Sequence, residues 1–134
     1  MKDDIVINKI ETIKRCIKRV NEEYENIPAN LEIYTKQDSI ILNIQRLCEA
    51  SLDLALHYIK VNKFEIPQTS KDSFKILQEN NIISKELSRN LQGMVGFRNV
   101  AVHDYQSLNL EILQKVIEKH LIDPLFLAKI ILEK

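Results

Sequence analysis

The sequence predicts an all-α fold, an up-and-down bundle of four or five main helices in one domain that spans residues 1–134. Glycine and proline, the residues that most often interrupt helices, are scarce: the chain contains two glycines and three prolines. Apolar residues recur at alternating spacings of three and four, which is the period of an amphipathic helix. A chain of this length buries about two-thirds of the surface that it exposes when unfolded, so it can build its own core.

The first two helices follow from this apolar periodicity. We expect the first to begin with Asp3 or Asp4 as its cap and to end before Pro28. The second should run from about Gln37 to Val61. Because its apolar residues cover much of its circumference, it should lie at the centre of the fold. The apolar stripe of the first helix comprises Val6, Ile10, Ile13, Ile17, Val20 and Tyr24.

Capping residues predict where the later helices begin. Ser70 and Ser84 should each cap a helix, because a serine hydroxyl accepts a hydrogen bond from a backbone N–H of the first turn. Asn109 should open the last long segment. Asp123 and Pro124 together predict that this segment restarts there, with the aspartate as cap and the proline in the first turn.

Composition excludes several classes of site. The formal net charge is zero, with 19 basic and 19 acidic side chains, so the chain as a whole has no field that attracts nucleic acid. The sequence has no glycine-rich phosphate loop, no Gly-x-Ser-x-Gly elbow and no Cys/His set with zinc-ligand spacing. We therefore expect neither a metal nor a cofactor. Cys16 and Cys48 lie among apolar helical residues and are interpreted as reduced core residues.

No sequence feature indicates a membrane or an export route. No run of residues approaches the roughly 18 consecutive apolar residues that a membrane-spanning helix needs. The first residues, Met1–Asp4, are followed by an amphipathic helix instead of the apolar region of a signal peptide. We expect a cytoplasmic protein that has no membrane partner.

One eight-residue segment carries the chemistry, Arg98-Asn99-Val100-Ala101-Val102-His103-Asp104-Tyr105. The Arg98 guanidinium is a permanent cation whose planar fork matches phosphate oxygens. His103 is an imidazole, which suits proton transfer near neutral pH. Cleavage of RNA by its own 2′-hydroxyl needs both groups, so a ribonuclease site is one hypothesis. Spacing alone leaves an alternative to a ribonuclease site. In that alternative Arg98 forms an ordinary ion pair, and His103 is a hydrogen-bonded histidine at an interface.

The spacing within this segment predicts that one chain does not complete the site. Arg98 and His103 lie about 140° apart around a regular helix, whereas Arg98 and Tyr105 share a face. Either the helix ends within the segment or a second subunit completes the site, and we expect both. A two-fold homodimer brings two His103 side chains together, one to accept the 2′-hydroxyl proton and one to protonate the leaving 5′-oxygen.

This segment resembles the Arg-x-x-x-x-His-x-Tyr signature of HEPN-domain ribonucleases, including the Asn99 that directly follows the arginine. Residues 40–46 and 108–110 extend the likeness to the HepT toxin family over nearly the whole chain. The resemblance implies a HEPN-type helical bundle, an obligate two-fold homodimer with a cleft between its subunits, and metal-independent endoribonuclease activity. In that chemistry His103 serves as general base or acid, Arg98 holds the scissile phosphate, and Asn99 orients one of the two by hydrogen bonds.

The resemblance also implies a partner. In the HepT family the signature tyrosine is adenylylated by a small nucleotidyltransferase, the MntA-type antitoxin, which makes Tyr105 the modified residue here. An attached AMP would add a phosphodiester charge beside Arg98 and a bulky nucleoside in the cleft, and both exclude RNA. The alternative is a Tyr105 that only packs its ring and donates a hydrogen bond at the interface.

Arg46, Glu49 and Asp53 form, with His57, a narrow polar stripe along the second helix. Charges on a mostly buried helix need partners or water. One interpretation makes the stripe a support for the signature, with Glu49 or Asp53 binding Arg98 or Arg46. The other interpretation makes it the ordinary solvent face of the helix.

A second class of function also fits these residues. The chain could be a non-enzymatic nucleotide-binding or scaffold partner of a nucleotidyltransferase, in which Arg98 and His103 bind phosphate without cleaving RNA. The two hypotheses differ at His103. Its removal should abolish turnover by a nuclease and leave a binding module intact.

Overall fold

The computed structural model describes residues 3–134, and every regular element in that range is helical. The α-helices are α1 (Asp4–Tyr24), α2 (Tyr34–Val61), α3 (Ser70–Glu79), α4 (Lys85–His103), α5 (Leu110–Lys115) and α6 (Asp123–Glu133). Short 3-10 turns occupy Pro28–Glu32 and Tyr105–Ser107, and a π-helical turn occupies Val116–His120. The all-α prediction is confirmed. Met1 and Lys2 lie outside the described residues. Both belong to the segment from which we expected no export signal.

The beginning and end of α1 agree with the sequence prediction. The Asp3 carboxylate accepts a hydrogen bond of 2.8 Å from the Ile5 backbone N–H, so it is the cap. The helix stops at Tyr24 because Glu25 and Asn26 both have positive φ, at 53° and 57°. α2 begins at Tyr34, earlier than predicted.

The cap of α3 was predicted one residue too late. Thr69, and not Ser70, is the cap, because its backbone is extended and its hydroxyl accepts a 3.2 Å hydrogen bond from the Asp72 N–H. The Asp72 carboxylate accepts the Thr69 N–H in return, at 3.2 Å, which completes a capping box. The other two capping predictions are confirmed: Ser84 accepts from the Leu87 N–H at 3.0 Å, and Asn109 caps α5.

The prediction that Asp123 caps the last helix was wrong. Asp123 is the first residue of α6, is only 5% exposed, and binds the His120 Nδ1 at 3.0 Å. The backbone before it is already helical, since Ile122 has φ −75° and ψ −23°, so there is no extended residue for a cap to occupy. Pro124 lies in the first turn as predicted.

Helix α2 is the central element, as its composition predicted. It packs against α1, α3, α4 and α6. Its fully buried side chains are Ile40, Ile44, Leu47, Leu54 and Ala55, each at 0% exposure. α1 runs antiparallel to α2, since Lys9 lies near Asp53 and Lys36 near Glu25 at opposite ends of the pair.

Replacing Leu47 by alanine is expected to lower the free energy of unfolding by about 2–5 kcal/mol, because it leaves a cavity in the middle of the core. Leu56 on the same helix is 43% exposed, so Leu56→Ala is the matched control and should cost far less. Urea unfolding followed by circular dichroism measures both. Equal losses for the two variants would contradict the burial of Leu47 in the core and the exposure of Leu56.

None of the helices within residues 3–134 has the length and apolar character required to cross a membrane.

Candidate functional site

The signature segment lies at the carboxyl end of α4. The helix is continuous from Lys85 to His103, and the chain leaves it at Asp104, where φ is −151° and ψ is 59°. Tyr105 then begins the short 3-10 turn. The predicted helix end within the segment is therefore observed, but it separates His103 from Tyr105. Arg98 and His103 remain on one uninterrupted helix.

Arg98 is held between three helices. Its guanidinium donates one hydrogen bond of 2.6 Å from Nη1 to Glu49 Oε1 on α2, and one of 3.3 Å from Nη2 to Ser70 Oγ at the start of α3. The Arg98 side chain is only 17% exposed, whereas that of Glu49 is 49% exposed. Its Nε–H is buried and has no partner among the described residues. The cation is thus fixed in position before any ligand binds.

Tyr105 also faces α2. Its hydroxyl donates a hydrogen bond to the carboxylate of Asp38, near the beginning of that helix. Partial burial, followed by this hydrogen bond to an anion, raises the pKa of Tyr105 to about 12, so the phenol is protonated at neutral pH. Arg98 and Tyr105 therefore both contact α2. The helical spacing of seven residues is not the reason, because α4 ends at His103 and Tyr105 lies in the following turn.

His103 lies on a different side of α4. It is exposed, and so is Asn99, which is one helical turn earlier and shares its face. The exposed side chains of Val100 and Val102, at 37% and 47%, flank the histidine. A single chain therefore does not bring Arg98 and His103 to one point.

The polar stripe of α2 divides between two neighbours. Glu49 contacts the signature through Arg98. Asp53 instead forms an ion pair of 2.9 Å with Lys9 of α1, and His57 binds Asp3. Arg46 is exposed. The interpretation in which Glu49 binds Arg98 is confirmed. The variant of it in which Asp53 binds Arg98 or Arg46 is wrong, because Asp53, one turn further along α2, pairs with Lys9 of α1.

Sequence analysis missed two residues that touch the signature, Asp38 and Ser70. A signal for Asp38 was present. It precedes Glu49 by eleven residues, which is close to three helical turns, so both carboxylates lie on one face of α2. Ser70 was singled out only as a helix cap, and its contact with Arg98 depends on how α3 packs against α4.

Neither cysteine belongs to the site. Both are buried and unpaired. Burial raises the pKa of Cys48 to about 12 and raises that of Cys16 as well, which is typical of inert core thiols. Within residues 3–134, no three His, Cys, Asp or Glu side chains cluster closely enough to hold a metal ion.

Two solved structures share this fold over almost the whole chain. The tri-AMPylated HEPN toxin of Shewanella oneidensis, in complex with an MNT antitoxin, has a TM-score of 0.93 and 48% sequence identity, covering 99% of this chain and 100% of that one. A toxin–antitoxin structure with AMP-PNP has a TM-score of 0.92 and 49% identity, covering 97% of this chain and 99% of that one.

Sequence comparisons agree with the structures. The mRNA nuclease HepT of Shewanella oneidensis is 53% identical over 121 residues, which are 90% of this chain and 91% of that protein. The sequence profile of the Ribonuclease HepT-like family matches residues 6–130. These matches confirm the resemblance that the signature indicated: the chain belongs to the HepT-like ribonuclease family.

Proposed function

We propose that this protein is the toxin of a toxin–antitoxin pair, a metal-independent endoribonuclease, and that adenylylation of Tyr105 by a MntA-type nucleotidyltransferase neutralises it. The observation that carries the proposal is the arrangement of α4, which holds the Arg98 cation in place and exposes His103 on an apolar face. Membership of a ribonuclease family supports it. The protein then acts in the cytoplasm, where RNA and nucleoside triphosphates are found.

Arg98 is the phosphate-binding group in this proposal. A guanidinium has five N–H donors, and Glu49 and Ser70 take only two of them. The remaining terminal donors serve the oxygens of the scissile phosphate, whose negative charge grows in the transition state. Because its position is fixed beforehand by α2 and α3, the cation needs little reorganisation when RNA arrives.

His103 is the proton-transfer group. It is exposed at the end of α4, so an RNA 2′-hydroxyl can approach it. Asn99 lies one turn away on the same face, and its amide orients either the imidazole or the phosphate. Transesterification needs one group to accept a proton and another to donate one. A single chain offers one His103, so the second comes from a second copy.

A two-fold homodimer supplies that second copy. Two valines beside His103 on α4 are exposed, Val102 at 47% and Val100 at 37%. Isologous contact through this surface would bury them and bring two His103 side chains and two Arg98 guanidinia to one cleft. In this dimer the two kinds of side chain meet in one cleft, although Arg98 and His103 of a single chain lie on different faces of α4.

Replacing Val102 by glutamate is expected to convert the dimer into monomers, because two carboxylates would be buried at the symmetry axis. Val61 is 62% exposed at the far end of α2, so Val61→Glu is the matched control and should leave the dimer intact. Sedimentation equilibrium distinguishes the 15.7 kDa chain from its dimer. A wild-type chain that is monomeric at all concentrations, or a dimeric Val102→Glu variant, would contradict the proposed dimer.

Adenylylation of Tyr105 explains neutralisation in physical terms. The phenol is 40% exposed, so a modifying enzyme can reach it. A phosphodiester attached there adds a negative charge and a bulky nucleoside just after the end of α4, two residues from His103, and both oppose the approach of RNA. The similar HEPN toxin of Shewanella oneidensis is tri-AMPylated in its complex with the MNT antitoxin, which supports the same modification here.

Induced expression in a bacterial host tests the proposed function against the non-enzymatic alternative. The wild-type chain should arrest growth and fragment the RNA of the cell, whereas His103→Ala should do neither. Arg89→Ala removes an exposed arginine from the same helix and should behave like the wild type. Arrest without RNA breakage, or equal effects of wild type and His103→Ala, would favour a binding module that acts without cleavage.

A further inference from the structure

Asp38 of α2 contacts the tyrosine of the signature segment. The Tyr105 hydroxyl donates to the Asp38 carboxylate from the neighbouring helix. Among the described residues, no lysine, arginine or histidine lies within ion-pair distance of Asp38. Glu49, on the same face of α2, is different because Arg98 neutralises it. The described hydrogen-bond partner of the Asp38 carboxylate is therefore the Tyr105 hydroxyl, which adenylylation would convert into an ester.

Transfer of a nucleotide to a tyrosine requires removal of the phenolic proton. The phenol is a poor nucleophile while it keeps its proton, and here burial and the adjacent anion raise the pKa of Tyr105 to about 12. A proton acceptor within hydrogen-bond distance solves this, as the catalytic aspartate does for the substrate hydroxyl in protein kinases. The acceptor normally belongs to the transferring enzyme.

We propose that in this protein the acceptor belongs to the substrate: Asp38 is the general base for adenylylation of Tyr105 in its own chain. The inference rests on the proposed function, in which Tyr105 is the adenylylated residue. It assigns Asp38 no part in RNA cleavage. The nucleotidyltransferase then has to supply only the bound nucleoside triphosphate and the groups that neutralise its phosphates.

The Tyr105 Oη attacks the α-phosphorus of ATP and forms the Oη–P bond, while the bond from that phosphorus to the pyrophosphate oxygen breaks. The phenolic proton passes to the Asp38 carboxylate and then to water. Pyrophosphate leaves with the electron pair. The ester oxygen that remains has no proton to donate, so the contact with Asp38 is lost on modification.

Single-turnover adenylylation of the intact protein tests this role. The protein is mixed with excess MntA-type nucleotidyltransferase, magnesium and radiolabelled ATP, and label on Tyr105 is followed with time. Asp38→Asn keeps the size of the side chain and cannot accept the proton, so the rate should fall by about 10²–10⁴. Asp53→Asn, an exposed aspartate of the same helix that pairs with Lys9, is the control and should react like the wild type.

Further measurements separate proton transfer from packing. Formate added to Asp38→Ala should restore part of the rate, because it places a carboxylate in the space left by the side chain. Binding of Asp38→Asn to the nucleotidyltransferase and its RNA cleavage should match those of the wild type, which shows that it is folded.

Three results would overturn the inference. Asp38→Asn could react within about threefold of the wild type, or faster, in which case the contact only restrains the tyrosine. A slow Asp38→Ala that formate does not rescue would mean that Asp38 only orients the ring. A wild-type chain that takes up no label on Tyr105 would refute the proposed neutralisation by adenylylation. That outcome can be told apart from failure of the Asp38 role alone, in which the wild type and Asp38→Asn are both labelled at equal rates.

Discussion

His103→Ala is expected to lower the rate of RNA cleavage by about 10²–10⁴, since it removes the group that carries the proton in both halves of the reaction. The side chain is exposed at the end of α4, so the fold should survive. Arg98→Ala should lose a similar factor, because the pentavalent phosphate is left without its fixed cation. Initial rates on a labelled RNA, with circular dichroism as the check on folding, measure both losses.

The controls for this prediction come from the same helix. Arg89→Ala removes an exposed arginine two turns and more before the signature and should cleave RNA at the wild-type rate. The double variant of Arg98 and His103 should be little worse than either single variant, because the two groups act in one step. Cleavage by His103→Ala within a few-fold of the wild type would exclude proton transfer by this residue.

Tyr105→Phe is expected to escape neutralisation completely. Phenylalanine keeps the ring and its packing but has no hydroxyl to form the ester, so no AMP can be attached at this position. The variant should cleave RNA and should arrest growth even when the nucleotidyltransferase is co-expressed, a condition in which the wild-type chain is harmless. Growth curves and the intact mass of the purified protein give the result.

The matched control is Tyr34→Phe. Tyr34 is 80% exposed at the beginning of α2, so it is the tyrosine most open to any enzyme that modifies accessible phenols. Tyr34→Phe should be adenylylated and neutralised like the wild type. Neutralisation of Tyr105→Phe with AMP on another residue would show that the modified position had been assigned wrongly.

Helix positions were predictable because they depend on local periodicity. The stripe from Val6 to Tyr24 determined α1, and the wide apolar surface of α2 determined its central place. The exact caps were less predictable. Thr69 and Ser70 are adjacent hydroxyl residues, and only the extended backbone of Thr69 decides between them. Aspartate is a residue type that commonly caps helices, but Asp123 follows backbone that is already helical.

The contacts of the site were predictable only in part. Spacing along α4 predicted that Arg98 and His103 lie on different faces of the helix. The contact of Tyr105 with α2 depends instead on the turn that follows the end of α4 at His103. Spacing does not determine which face of α2 meets that side, so Glu49 and Asp53 were equivalent candidates until packing separated them. Asp38 lies 67 residues from Tyr105 in sequence, and such a contact depends on the tertiary arrangement.

Mapping of the RNA ends left by the purified protein tests the central claim most directly. RNA is incubated with the wild-type chain in the presence of EDTA, and the termini of the fragments are identified. Attack by the 2′-hydroxyl, with Arg98 and His103 as the only aids, predicts cleavage under these conditions and fragments that end in a 2′,3′-cyclic phosphate and begin with a 5′-hydroxyl. Intact RNA in EDTA, or fragments that carry 5′-phosphates and 3′-hydroxyls, would contradict the account.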